Sequence, residues 1–172
     1  MWDHEYDEKI FKHFTNNSYA YVYARLGFKD KGYELRLFAS FLIVDIFLMY
    51  KINETYLWNG YQGDKKFYRQ YVINVNKSSL CSGELLGAKY IVPCNPEKYL
   101  SFQYGEEKWR NPMPVHYFNF KSIIRLPDWT DDEWPYVVRY YKKNGDVDTI
   151  TTLTVLNKNV NKSYTALPPD KE

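Results

Sequence analysis

The chain has 172 residues, 45% of them hydrophobic and 19% aromatic, enough to bury one substantial core and, by length, to make one domain. Its 23 basic residues against 21 acidic ones create no broad field for nucleic acid or an anionic membrane surface, which excludes a polyanion as the default partner. The longest apolar run, Phe38 to Tyr50, falls short of the roughly 20 residues that cross a bilayer and is interrupted by Asp45. The first ten residues lack the basic and apolar regions of a secretory signal.

In chain order, Asp7 to Phe14 predicts a short helix, with Ile10, Phe11 and Phe14 on one face. Tyr19 to Leu26 is aromatic and β-rich, Gly27 to Gly32 reads as a connection, and Tyr33 to Phe38 alternates as a half-buried strand. There Leu35 and Leu37 point one way and Glu34 and Arg36 the other. Ile43 to Tyr50 is apolar on both faces apart from Asp45, the pattern of a central, two-side-covered strand. These segments predict an antiparallel pair inside a mixed sheet.

Further on, Ala88 to Val92 predicts a strand stopped by Pro93. Asn95, Pro96 and Gly105 then give a helix its N-cap, its first residue and its close after Tyr104. Lys108 to Asp128, with three prolines, reads as an ordered irregular loop. Thr130 to Glu133 resembles a capping box, and Trp134, Val137, Val138 and Tyr141 follow at helical spacing, so a helix is expected to end near Gly145. Asp148 to Leu156 reads as an edge strand, and 158–172 as a polar, disordered tail. The fold class expected from these elements is α+β.

Asp45 is where the local physics raises a question, because an unpaired carboxylate in a buried strand is expensive. A divalent cation would satisfy it, as magnesium takes hard oxygen ligands; an Arg, a Lys or backbone amides would satisfy it equally, and from the residues alone that structural pairing is favoured. Trp58, Asn59 and Gly60 suit either a ligand pocket or a hairpin tip. Tyr104 and Trp109 suit either stacking on a base or sugar or the closure of a helix end, and the latter is the commoner role. The 18 tyrosines fit half-wet sheet faces and carbohydrate sites alike, and His4, His13 and His116 have no ligand-like spacing. The triplet N-x-[ST] occurs at Asn16, Asn53, Asn76 and Asn161, each a candidate glycan acceptor in a lumen. Cys81 and Cys94 are either a disulfide in an oxidising compartment or inert thiols in a reducing one, and two cysteines without a CxxC or histidine neighbours argue against a zinc site.

Several marks occur together and in order: GYELRLF from Gly32, VDIFLMYKINETYLWNG from Val44, the Cys81 and Cys94 pair, the Pro-Cys step into a helix ending Tyr104-Gly105, and Trp109 with Pro112. From about Tyr6 to Tyr141 the chain resembles the C-terminal part of the LicD/fukutin nucleotidyltransferase-like family. The resemblance implies a mixed sheet flanked by helices, on which a D-x-D pair and a third acid, matched here by Asp45, hold Mg²⁺ or Mn²⁺. It implies a phosphotransferase that moves ribitol 5-phosphate, phosphocholine or a similar group from a CDP-activated polyol or choline donor to a glycan acceptor. On this reading Asp45 is the catalytic and metal-binding acid, and Trp58, Asn59, Gly60, Tyr104 and Trp109 are weaker substrate-binding candidates.

The implied D-x-D pair falls upstream of residue 1. Asp3, Glu5 and Asp7 alternate suitably, but they run into the first helix with no hydrophobic strand to present them. Residues 1–157 are therefore expected to form an incomplete domain of this type. Its place is the Golgi or secretory lumen, with a membrane anchor expected only in the full-length protein. The alternative is a noncatalytic glycan-binding or assembly module of the secretory pathway, or an inactive fragment.

Overall fold

A computed structural model describes residues 7–15, 19–63, 66–73, 79–106, 108–111, 122–158 and 163–169. The fold is α+β, and the chain divides into two compact units: Met1–Tyr50, Asn59–Arg69 and Arg125–Glu172 in the first, Lys51–Trp58 and Gln70–Ile124 in the second.

The first unit begins with helix α1 (Glu8–Thr15), capped by Asp7, whose carboxylate accepts the Lys9 backbone N–H at 2.8 Å. Strands β1 (Ala20–Phe28), β2 (Lys31–Ala39) and β3 (Leu42–Phe47) follow as two hairpins, and β10 (Val138–Tyr140) completes a sheet in the order β10-β1-β2-β3. All three pairings are antiparallel, so the sheet is not mixed. Leu35, Leu37 and Val22 bury their side chains as the alternation requires. Phe11 of α1 packs edge-on against Tyr141, their ring centroids 4.9 Å apart. Tyr50 locks the β1–β2 turn, accepting the Tyr33 backbone N–H at 2.9 Å and donating to the Lys29 carbonyl at 2.7 Å. Trp129 is clamped by Phe67 at 4.7 Å and Phe28 at 5.5 Å, with the Lys31 ammonium over its ring.

Three predicted elements fail here for physical reasons. Ile43 to Tyr50 is not one central strand: β3 lies at the edge of its sheet, with Leu42, Ile43 and Val44 exposed, and ends at Phe47. Leu48 then donates its N–H to Tyr33 and buries, and Tyr50–Lys51 forms β4 in another sheet. The capping box is real, since Thr130 and Glu133 bond each other's backbone N–H groups at 3.1 and 3.2 Å. It starts only a single turn, α3 (Trp134–Val137), because the β-branched and aromatic run Val138-Arg139-Tyr140 instead pairs with β1 as β10.

Conversely, the supposed strand at Asp148 to Leu156 is helix α4 (Thr149–Leu156). Asp148 caps it through the Thr151 N–H at 3.1 Å, and the Thr152 hydroxyl donates to the Asp148 carbonyl while accepting the Tyr140 N–H at 2.9 Å. Those bonds and the burial of Thr152 and Leu156 outweigh the β propensity of a Thr- and Val-rich segment. The described part of the tail is anchored, with Tyr164 and Asn157 exchanging two hydrogen bonds and Arg139 donating to the Pro168 carbonyl at 2.8 Å.

The second unit carries the hairpin β7 (Leu80–Leu85) and β8 (Ala88–Pro93) and helix α2 (Pro96–Tyr104). Helix α2 forms as its sequence dictates: Asn95 accepts the Lys98 N–H at 3.0 Å, Pro96 opens it, and Gly105 closes it at a φ of 91°. Cys81 and Cys94 are joined as a disulfide at the base of the hairpin. Gln103, buried in α2, accepts from Gln70 at 2.8 Å. A further sheet has the order β4-β5-β6-β9, with β5 at Tyr56–Gly63, β6 at Lys66–Ile73 and β9 at Ile123–Arg125. Of the loop expected over Lys108 to Asp128, Lys108–Arg110 is a 3-10 turn and 112–121 lies outside the described residues.

Candidate functional site

Register places the site. Arg36 on β2 stands directly opposite Asp45 on β3 and Ala24 on β1, and Ala24 in turn opposes Tyr140 on β10. Opposed residues share a face of the sheet, so Tyr140, Arg36 and Asp45 lie in one row with a small alanine between them. Two residues back on β2, Glu34 shares the face of Arg36.

Arg36 Nε contacts Glu34 Oε1 at 2.6 Å and Asp45 Oδ1 at 3.2 Å, so one guanidinium serves two carboxyl groups. The two differ in environment. The Asp45 side chain is 35% exposed, whereas that of Glu34 is 0% exposed and its Oε2 has no hydrogen-bond partner among the described residues. Burial pushes the Glu34 carboxyl up to about 7, against the pull of Arg36 and with a further push from Asp45. The same two carboxyl groups raise Arg36 despite its own partial burial.

A group of rings borders the cluster on the same sheet. Tyr23 meets Tyr140 edge-on at 5.2 Å and Phe38 at 6.4 Å, and Phe38 meets Tyr21 at 5.6 Å; all four are half-buried. Burial, then Tyr23, raises the Tyr140 hydroxyl above its ordinary value. This face thus combines one guanidinium shared by two carboxyl groups with half-exposed rings.

Glu34 supports a pH prediction. Its folded pKa, about 7, lies above the ordinary glutamate value, so the folded state holds the proton more tightly than the unfolded chain. Stability is then expected to fall as pH rises from about 4.5 to about 7 and to level off above, a loss of about 3 kcal/mol. Glu34→Gln should remove that slope and be more stable than the parent at pH 8. Denaturant melts at pH 5 and pH 8 on both proteins measure it, and parallel pH dependence in the two would contradict it.

The other predicted residues are dispersed. Trp58, Asn59 and Gly60 form neither a hairpin tip nor an open pocket wall: all three are buried within β5. Asn59 Nδ2 reaches Met49 Sδ at 3.9 Å, and Gly60 abuts Gly32. Tyr104 ends α2, and Trp109 donates to Ser101 Oγ at 3.0 Å under the Arg110 guanidinium, the helix-closing role. Asp7 caps α1, and the Lys9 N–H holds its carboxyl below the usual range; Asp3, Glu5, His4 and His116 lie outside the described residues. Of the glycan candidates, Asn53 is exposed in the turn before β5, while Asn16, Asn76 and Asn161 fall outside the described residues.

Sequence reasoning missed Glu34, which alternation assigned to the polar side of its strand. The available signal was the Glu34-x-Arg36 spacing combined with a two-residue turn that brings Asp45 opposite. Ser40 and Phe41 make that turn without Gly, Asn or Asp, so nothing in the sequence marked it.

Among the described residues, no group of three or more His, Cys, Asp or Glu side chains is placed to hold a metal ion. Asp45, whose side chain is 35% exposed, is a hard oxygen donor of the kind magnesium accepts, and magnesium commonly takes only one or two protein carboxylates beside phosphate oxygens; the fully buried Glu34 carboxyl is closed to a hydrated ion. No protein-family model matches the chain, and neither a curated protein nor a solved structure is detectably similar to it.

Proposed function

We propose that the chain belongs to a LicD/fukutin-type phosphotransferase with a nucleotidyltransferase-like fold, which transfers a polyol-phosphate or phosphocholine group from a CDP-activated donor to a glycan. The observation that carries this reading is the Glu34–Arg36–Asp45 cluster, in which the acid singled out by the sequence marks sits beside a second, buried carboxyl and a guanidinium. Titratable groups with such divergent environments concentrate at functional sites. The Cys81–Cys94 disulfide fits the oxidising secretory lumen that the reading requires.

In this reading the acceptor hydroxyl oxygen forms a bond to the donor phosphorus while the P–O bond to CMP breaks, and the hydroxyl proton passes to a base. Asp45 is the exposed carboxylate that would hold a Mg²⁺ or Mn²⁺ ion, and such an ion supplies charge neutralisation on the leaving nucleotide. Arg36 has donors beyond the Nε used by its two carboxyl partners, suited to phosphoryl oxygens. Glu34 fixes Arg36 from beneath. In the full-length protein, with the D-x-D pair present, Asp45→Asn should lower CMP release from CDP-ribitol by roughly 100-fold or more with the fold intact; undiminished release would remove Asp45 from the mechanism.

The half-exposed rings of Tyr21, Tyr23, Phe38 and Tyr140 favour one second reading, a noncatalytic glycan-binding module, because aromatic faces stack on sugar C–H surfaces.

A further inference from the structure

The sequence of β3, Leu-Ile-Val-Asp-Ile-Phe, is that of a strand covered on both sides, yet β3 is the terminal strand of its sheet and, among the described residues, pairs only with β2. Leu42, Ile43 and Val44 are 68%, 54% and 45% exposed. Edge strands are ordinarily blunted by lysine, proline or a bulge. Here the register with β2 is unbroken across all six residues, and the strand's only charge, Asp45, is turned back onto Arg36. The adjoining turn adds to this exposed apolar edge: Phe41 is 93% exposed and held at a φ of 84°, a conformation that costs a non-glycine residue on the order of 1 kcal/mol. A bulky ring kept there, in the open, is a poor choice for a turn with no contact to make.

We propose that the outer edge of β3 pairs antiparallel with β3 of a second copy of this chain, extending the four-stranded sheet across a two-fold axis. Self-complementarity selects this occupant. A two-fold axis normal to the sheet keeps each face on its own side, so opposed residues must have the same parity. Centred on Val44, the register sets Val44 against Val44 and Leu42 against Ile46, an apolar ladder continuous with Leu35 and Leu37, and sets Ile43 against Asp45 on the other face. Centred on Asp45 it would oppose two like charges, which disfavours that register. Two short strands and their hairpin tips are expected to bury less than the roughly 1,200 Å² of a standard stable interface, so the dimer should be weak and concentration-dependent.

Sedimentation velocity of the full chain over roughly two decades of concentration, from about 1 µM upward, tests this. The mass is expected to move from 20.7 kDa toward twice that value as concentration rises. Val44→Lys should weaken association at least 10-fold without changing the circular dichroism spectrum, while Leu86→Lys, at a 97% exposed site on the other hairpin, should leave it unchanged. Val44→Cys should form a covalent dimer under mild oxidation, since opposed strand residues lie within disulfide reach. A chain that stays monomeric throughout, a dimer indifferent to Val44→Lys, or a monomer that instead takes up an added apolar peptide at β3 would each overturn the proposal.

Discussion

Gly60→Ala is expected to destabilise the fold by about 4 kcal/mol or more, at the severe end of single substitutions. A Cβ at residue 60 would lie 2.4 Å from the Gly32 Cα and 2.7 Å from Phe67 Cε2. The first of these is backbone, so no rotamer change relieves it, and the converse substitution is no better because Gly32 needs its φ of 77°. Overpacking by one methyl normally costs about 1–3 kcal/mol when side chains can shift; here β2 and β5 would have to separate. Denaturant midpoints for Gly60→Ala and for Trp58→Phe separate the roles. A near-normal midpoint for Gly60→Ala with loss of ligand binding would restore the Trp58-Asn59-Gly60 triplet to a binding site, and loss of the fold assigns Gly60 to close packing.

The second large effect is expected at the disulfide. Cys81 and Cys94 are 13 residues apart, and closing a loop of that length restricts the unfolded chain by about 3 kcal/mol. The β7–β8 pair forms a sheet of its own, and two strands alone are marginal in water. Cys81→Ser with Cys94→Ser should therefore cost about 3 kcal/mol, concentrated on this hairpin. Hydrogen exchange reads this directly: amides of Leu80–Leu85 and Ala88–Pro93 should lose protection first, while those of β1 and β2 keep theirs. Uniform loss across both units would show that the bridge stabilises the chain as a whole.

What the sequence revealed follows from how local each determinant is. Helix α2 was legible in full because Asn95, Pro96 and Gly105 each act on their own backbone. The capping box at Thr130 was legible for the same reason, but the length of the helix behind it was not, since Val138 to Tyr140 answer to a distant strand. Helix α4 was illegible because a Thr- and Val-rich segment favours a strand until Asp148 and the Thr152 hydroxyl, bonded to Tyr140, tie it down. At the site, an ion pair with arginine was the structural alternative for Asp45, and Arg36 is that partner. Glu34 escaped notice because its burial depends on what the sheet is packed against, which alternation within one strand does not encode.

Titrating CDP into the chain with magnesium, and again with excess EDTA, asks whether the Glu34–Arg36–Asp45 face serves metal-dependent chemistry on a CDP-linked donor. Saturable binding is expected in magnesium, falling roughly 10-fold or more in EDTA and equally in Asp45→Asn, with unchanged melting of the ligand-free protein. Binding of the same strength in EDTA, or an Asp45→Asn protein that binds as the parent does, would contradict it.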